Sequence, residues 1–438
     1  AEDDTYLYIG GNFLDFDNIA NADYIVRYNK QTGLYSAMGT GMNNNCHALA
    51  VASDGMVYAG GFFTLAGGVA ANRVARWDPT TETWSAMSTG ANGSVLALVF
   101  GLDGLLYLGG GFTTIGGVAA NFVASWNGSI FIALSSGTDG QVNALAISPV
   151  DGTLYLGGNF NTAGGGAAVD IASWNGSIFS ALSSGSNNQV QALAVSSTGI
   201  LYTGGTFTSI GGVTTRIASW NGVAFTALGS GVNNNVHSLA VGADGFLYAG
   251  GAFNLAGGIT LADRVARWNG YSWAHMDIDL PGLPIVTAIL ASKFVDPVIK
   301  QKYNLYLGFD TTGTGTYAGK TVVNNEGNVS AFPQAFYYRS GGTCAIVETL
   351  RNERTGKELL FDYRLLNNES LIIDLTPTKK SITSSYFGAR LDAVLPNSDF
   401  GTWQLKPGNN DITTFVPVSG GPVLTAYLLW RDTFDSWD

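Results

Sequence analysis

The sequence predicts an all-β protein. It reads as a β-propeller of four-stranded blades, six by strand count with seven as the alternative, followed by an antiparallel β-sandwich. Three observations carry this reading. One phrase, "LYLGGGFTTIGGVAANFVASWNGSIFIAL" at 106–134, returns six times down two thirds of the chain. Each return contains four short apolar runs bounded by turn residues. After about residue 310 the repeat stops and the composition changes.

The period comes first. Tyr8, Tyr58, Tyr107, Tyr155, Tyr202 and Tyr248 follow one another at 50, 49, 48, 47 and 46 residues, a spacing that signals a solenoid or a propeller. Within a unit the runs are "VNALAI" (142–147), "LYLGG" (154–158), "IASWNG" (171–176) and "IFSAL" (178–182). Runs of four to six residues between turn residues read as strands, being too short for stable helices. Asp54-Gly55, Asp103-Gly104, Asp151-Gly152 and Asp244-Gly245 join first to second strand. Asn127-Gly128, Asn175-Gly176, Asn221-Gly222 and Asn269-Gly270 join third to fourth, where a tight hairpin needs positive φ. Four antiparallel strands repeated radially make a propeller blade.

The glycine pair inside each second strand leaves no Cβ and lets a neighbour approach. The expected neighbour is the third-strand ring that recurs as Tyr28, Trp77, Trp126, Trp174, Trp220 and Trp268. First strands start at Cys46, Val95, Val142, Val190, Val236 and Val286, so Cys46 reads as a small core residue. The chain enters at a second strand, "LYIGG" (7–11), with no first strand before it. In the six-blade reading "VTAILA" (286–291) completes that blade and closes the ring, and "LYLGF" (305–309) is surplus and leads out.

The unit "VYAGGFFTLAGGVAANRVARWDPTTETWSAM" (57–87) resembles a kelch-type repeat. Its apolar strand ends in Gly60-Gly61, Trp77 precedes Asp78-Pro79, and Trp84 follows. The resemblance covers about residues 5–290 and implies a propeller, while later units shorten "WDPTTETW" to "WNGSIF". Such repeats carry fold and little function.

Residues 1–319 hold 10 Lys+Arg against 19 Asp+Glu, a net of −9, and residues 320–438 hold 11 against 13, a net of −2 over a far shorter span. The shift divides the chain into a propeller (1–312), a linker (313–320, within the Gly/Thr-rich "DTTGTGTYAGK") and a sandwich (321–438). The runs "CAIVETL" (344–350), "ELLFDYRLL" (358–366), "SLIIDL" (370–375), "ARLDAVL" (389–395) and "VLTAYLLW" (423–430) read as its strands.

"TVVNNEGNVSAFPQAF" (321–336), the expected hairpin "TGKELLFDYRL…ESLIIDL" (355–375) and "GTWQLKPGNNDITTF" (401–415) resemble, in this order, the C-terminal domain of siphovirus-type tail components, the distal tail proteins among them. The resemblance implies a galectin-like sandwich in the tail tip or baseplate of a phage or phage-derived particle. It carries no catalytic residues. The family's usual N-terminal ring-forming domain is replaced here by a propeller.

Composition and charge exclude several classes. Charged residues are 12% of the chain and its net charge is −11, which argues against nucleic acid and anionic membranes as partners. No apolar run reaches 18 residues, so no membrane insertion is expected. The first residues, "AEDDTYLYIGG", show neither Met nor a signal-peptide core. Cys46 and Cys344 are too few for a disulfide framework or a Cys-rich zinc site. "GGGFTTIGGV" is no P-loop, because Gly117 is followed by Val118 where Lys and Ser/Thr are required. No cofactor is expected.

Candidate site residues are few. His47 and His237 share a first-strand slot filled elsewhere by Leu96, Asn143, Gln191 and Thr287. If first strands line the axis, His47, Asn143 and His237 could converge there on a water or an ion, with plain polar lining as the alternative. His275 has no evident partner. Asp15, Asp17 and Asp23 sit in one loop able to offer hard oxygen ligands to Ca²⁺, without the Gly and Glu of an EF-hand. A solvated acidic loop is the other reading. Scarce His and no G-x-S-x-G leave no nucleophilic triad. A glycosidase needs two carboxylates, and residues 95–230 offer only Asp103, Asp139, Asp151 and Asp170, two of them in hairpin turns. Sequons at Asn92, Asn127 and Asn175 fall on tight turns.

The expected function is therefore a non-enzymatic structural and adhesive part of a virion tail or extracellular particle. Its partners would be tail or baseplate proteins and, outward, a cell-surface glycan. The alternatives are a free lectin-like or scaffolding propeller and, third, a carbohydrate-active enzyme.

Overall fold

A computed structural model of the chain describes residues 1–16, 19–32, 34–259, 264–274 and 286–290 with their side chains, and the backbone of the further strands named below. No α-helix occurs among the described residues. Five blades of four antiparallel strands each follow chain order, every strand pairing with the one before it. Blade 1 spans 46–86, blade 2 spans 95–133, blade 3 spans 141–181, blade 4 spans 190–227 and blade 5 spans 236–275. In blade 3 the strands are Gln141–Ile147, Leu154–Asn159, Ile171–Trp174 and Phe179–Ala181. These are the four apolar runs of the repeat, the first two longer by one residue and the last two shorter by two.

The turns work as their residues require, with one refinement. Gly128, Gly176, Gly222 and Gly270 have φ of 94 to 97°, while the preceding Asn residues do not enter the left-handed region. The Asn acts through its side chain instead. Asn127 Oδ1 accepts the N–H groups of Ser129 and Ile130 at 3.0 and 2.9 Å, a turn closed by an amide. The recurrent "TTIGGV" run is a two-stranded ribbon, Thr114–Ile115 with Val118–Ala119, tipped by Gly116 and Gly117.

The glycine pair of the second strand has a different neighbour from the expected indole. A Cβ on Gly109 would lie 2.6 Å from Val142 Cγ1, the leading residue of the next blade's first strand. Gly60 stands to Val95, Gly204 to Val236 and Gly250 to Val286 in the same way, and Gly10 to Cys46. The second glycine, Gly110, leaves room for the carbonyl of Ser94, just before its own blade's first strand. The third-strand indole stacks instead within its blade, Trp126 on Phe131 with ring centroids 4.5 Å apart. It is a valine that enters the glycine-lined notch between sheets, because the indole is already held by the fourth strand.

These glycine contacts place seven sheets in series. Among the described residues the first sheet, Tyr6–Gly10, Ile25–Asn29 and Tyr35–Ala37, has three strands, and the last, Val286–Ala291 with Leu305–Phe309, has two. Here the six-blade closure fails. Val286–Ala291 pairs with Leu305–Phe309 and not with Tyr6–Gly10, so "LYLGF" is a partner and not a surplus strand. The free edge of Tyr6–Gly10 is met by the chain's own first residues, Tyr8 N–H donating to Ala1 O at 2.8 Å. Seven sheets, the alternative count, describe the propeller.

The C-terminal strands form two antiparallel sheets. One orders Ile278–Asp279, Tyr317–Asn325, Gly408–Val416, Cys344–Asn352 and Lys357–Leu365, with Val418–Ser419 on Cys344–Asn352. The other orders Gly388–Ala389, Ser381–Ser384, Ser370–Asp374, Gln334–Ser340 and Val423–Leu429. Two expectations change. Residues 317–320, read as linker, open a nine-residue strand. The expected hairpin of 357–365 with 370–374 is absent, since these strands belong to different sheets and the chain crosses between them. Residues 390–395, the rest of "ARLDAVL", lie outside the described residues.

Candidate functional site

Every first strand pairs with its second strand through the same irregularity. The register slips between Cys46 and Ala48, Val95 and Ala97, Val142 and Ala144, Val190 and Ala192, Val236 and Ser238, and Val286 and Ala288. One residue is extra each time, which is a β-bulge, and a bulge re-aims the side chain it leaves unpaired. The extra residues are His47, Leu96, Asn143, Gln191, His237 and Thr287. The slot read from the sequence is thus a bulge slot.

The six first strands surround one cavity of about 280 Å³. Its wall is mostly Ala, Leu and Ile, with His47, Gln191, His237, Ser238 and Thr287 as its polar members and no charged residue among those that line it. His47 and His237 therefore meet the same cavity. Asn143 does not line it. Its Nδ2 donates to Val190 O at 3.2 Å and its Oδ1 accepts from Gln141 Nε2 at 2.7 Å, which ties it across to the next blade. Gln191, in the same slot, and Ser238, one position further on, are the site residues that sequence reasoning passed over.

Burial lowers the affinity of both imidazoles for a proton from the ordinary value of 6.5, so both are neutral at pH 7 and each offers one donor and one acceptor. The His47 ring also meets Phe62 edge-on, centroids 5.0 Å apart. Among the lining residues, Gln191 Oε1 and Ser238 Oγ are closed off from the cavity and have no hydrogen-bond partner, Ser238 Oγ lying toward Gly250. Among the described residues no group of three or more His, Cys, Asp or Glu could hold a metal.

The other candidates are held in the frame. Asp103 Oδ1 accepts Leu105 N–H at 3.1 Å and its Oδ2 accepts the Tyr107 hydroxyl at 2.7 Å. Asp151 accepts Thr153 N–H at 3.1 Å. Asp139 accepts the N–H groups of Asn161 and Thr162 at 2.7 and 2.8 Å, the role of Asn92 and Asn187 in neighbouring blades. Asp170 is buried, and burial raises its pKa although Phe160 N–H and Ser186 hydroxyl donate to it. Asp23 Oδ1 accepts Asp15 N–H at 2.8 Å, and Asp17 lies outside the described residues. Cys46 is buried, and burial pushes its thiol up to about 12, so it stays protonated. The His275 side chain lies outside the described residues. No helix of the described residues is long and apolar enough to cross a membrane.

No family model matches the chain, and no curated protein matches it. Among solved structures, a chain from "Crystal Structure of Mitotic Checkpoint Complex" is similar over 71% of this chain and 94% of that one, at 19% identity and a TM-score of 0.44. Likeness at that level says nothing of function.

Proposed function

We propose that the chain is a non-enzymatic structural and adhesive component of a phage or phage-derived tail. In this reading its C-terminal strands join neighbouring tail or baseplate proteins, and its propeller offers a binding face whose outward partner is a cell-surface glycan or receptor. The resemblance of residues 321–415 supports the location.

One structural observation carries the binding face. Strands alternate in direction, so the first-to-second and third-to-fourth turns of every blade lie at one end. That end exposes a series of large apolar side chains: Ile130 at 59%, Ile178 at 61%, Val223 at 82% and Tyr271 at 92%, with Leu102 and Val150 beside them. Val150 leans on the next turn, 3.2 Å from the position of a Cβ on Gly199. Exposed apolar side chains that recur around one rim mark a contact surface better than isolated ones do. The loops at the opposite end, tied by Asn92, Asp139 and Asn187, expose their apolar side chains less, Leu65 at 41%, Val69 at 39% and Ile259 at 36%.

The test uses the full chain, co-expressed with the products of the genes that flank its own. The expected result is stoichiometric co-elution with tail proteins. A variant combining Ile178→Asp and Val223→Asp should keep that co-elution and the wild-type melting temperature while losing binding to the outward partner, read as attachment to host cells. Elution alone, with flanking genes of no tail type and glycan-array binding by the full chain, supports the free lectin-like propeller instead.

A further inference from the structure

We infer that the loop-bearing end of the propeller, opposite the apolar rim, binds one uncharged pyranose ring at Gly111 of blade 2, between Phe62 of blade 1 and Gln141 of blade 3. The inference stands apart from the rim and from the tail reading, since it concerns other residues at the other end.

The first argument is a pair of departures from the repeat. The residue after each second-strand glycine pair is Asn12, Phe62, Gly111, Asn159, Thr206 or Ala252. The backbone of this slot is held alike from blade to blade. Phe62 N–H donates to Asn45 O at 2.9 Å, Gly111 N–H to Ser94 O at 2.8 Å and Thr206 N–H to Gln189 O at 3.1 Å. The slot thus accepts an amide, a hydroxyl or a methyl without change of backbone. The sequence nevertheless puts a phenyl ring in blade 1, 44% exposed, and no side chain in blade 2 beside it. Gly111 is not among the glycines of positive φ, so its backbone does not call for glycine. A single exposed apolar side chain is ordinary. An exposed ring next to a bare backbone position makes a wall and a floor.

The second argument is what surrounds the bare position. A Cβ on Gly111 would lie 3.0 Å from Ser94 Oγ and 3.3 Å from Gln141 Oε1. The slot therefore faces the junction with the following blade, and by the repeat Phe62 faces blade 2 in the same way. The Gln141 amide is oriented: its Nε2 donates to Asn143 Oδ1 at 2.7 Å, and Asn143 Nδ2 donates to Val190 O at 3.2 Å. That leaves Oε1 as the acceptor toward Gly111. Asn159, which fills the slot in blade 3, is exposed. A phenyl face suits the C–H side of a sugar ring, while a hydroxyl and carboxamides give and take hydrogen bonds as sugar hydroxyls do. An apolar face with a few placed polar groups is the general make-up of a small-molecule site. Phe62, Ser94, Gln141 and Asn159 are uncharged, so none of them favours an ionic ligand.

Saturation-transfer NMR and calorimetry on the full chain test this at neutral pH, with D-glucose, D-galactose, D-mannose and N-acetyl-D-glucosamine as probes. Glucuronate and glucosamine serve as charged counterparts. The expected result is binding of at least one neutral probe. Phe62→Thr and Gly111→Asn each install a residue that a sister blade carries in the slot, so the melting temperature should hold while binding weakens about tenfold or more. The rim variant combining Ile178→Asp and Val223→Asp should bind the sugar as wild type does. The same sugars at the end of an immobilised oligosaccharide separate two sources: retained binding makes the ligand a glycan end, and loss makes it a free sugar. Failure of every neutral probe, binding that survives both slot substitutions, preference for the charged probes, or loss of binding in the rim variant would each overturn the inference.

Discussion

Gly109→Ala tests the joint on which the ring depends. The φ of Gly109 lies outside the left-handed region, so Ala meets no backbone penalty there and would gain about 0.4–1 kcal/mol from a stiffer unfolded chain. Against this, the new Cβ would sit 2.6 Å from Val142 Cγ1, 3.2 Å from Val142 Cβ and 3.4 Å from Leu145 Cγ. Val142 is fully buried, and its neighbours leave it nowhere to go. Overpacking of this kind costs about 1–3 kcal/mol. The clash wins, and the net loss should be about 1–2 kcal/mol, placed at the interface of blades 2 and 3. Equilibrium urea unfolding with hydrogen exchange reads both the size and the place of the effect, which matters because repeat arrays open locally.

Two companion variants separate this mechanism from a general dislike of side chains. Gly166→Ala, at an exposed ribbon position where sister units carry Val69, Val118 and Val213, has only Ala163 O within reach, at 3.7 Å. It should change stability by less than about 0.5 kcal/mol. Val142→Ala alone opens a cavity and destabilises, but combined with Gly109→Ala it makes room for the added methyl. The double variant should be at least about 1 kcal/mol more stable than the sum of its parts. Additive behaviour, or Gly109→Ala as stable as wild type, would refute the argument that a valine seated on bare backbone closes each blade junction.

Other outcomes follow from the same structure. Thr203→Val should raise stability by about 1 kcal/mol in urea unfolding, because Thr203 is fully buried with no partner for Oγ1 and its sister residues are Leu108, Leu156, Ala59 and Ala249. Trp84→Phe should cost about 1–2 kcal/mol: it loses the hydrogen bond from Trp84 Nε1 to Met38 O at 2.9 Å between sheets, yet Phe131, Phe179 and Phe225 show that the slot accepts phenyl. The carbonyl is not orphaned, since Gly41 N–H also donates to it at 3.3 Å. Asp170→Asn tests pH dependence. Burial raises the Asp170 pKa above its unfolded value of 3.8, so its favourable contribution is complete below that pH and is lost as pH rises through the folded value. The melting temperature of the Asn variant should therefore gain on wild type from pH 3 to pH 7, and a gap independent of pH would contradict this.

Most of the propeller was legible because the repeat compares the sequence with itself. Five sister copies of "LYLGG" and "IASW" fixed strand type, order and ends to within a residue or two. Closure was not legible, because nothing local distinguishes "VTAILA" pairing with "LYIGG" from its pairing with "LYLGF", two segments of nearly the same letters. Only the three-dimensional competition for an edge, which residues 1 and 2 enter, separates them. The C-terminal sheets have no repeat, and there the long strands Tyr317–Asn325 and Gly408–Val416 escaped notice because Thr, Asn and Gly interrupt their apolar pattern. In the site, the slot of His47 and His237 was visible, but not that Asn143 turns to Val190 while Gln191 stays on the wall. Ser238 could have been found, as the one departure from Ala in six aligned strands.

The bulge explains why sequence variation collects where it does. The two glycines of each second strand are committed, one to the valine of the next blade and one to the backbone that the bulge pushes across. The positions on either side of the extra residue are held to Val and Ala by packing, with Cys46 and Ser238 as the two departures. The extra residue alone lacks a partner across the ladder, and it alone varies freely among His, Leu, Asn, Gln and Thr. A propeller built in this way can change its axis without disturbing its blades. Gln191→Leu should accordingly leave the melting temperature within about 2 °C of wild type, the shift expected of less than about 0.5 kcal/mol in a domain this large. A drop of 5 °C or more would show that the slot belongs to the frame after all.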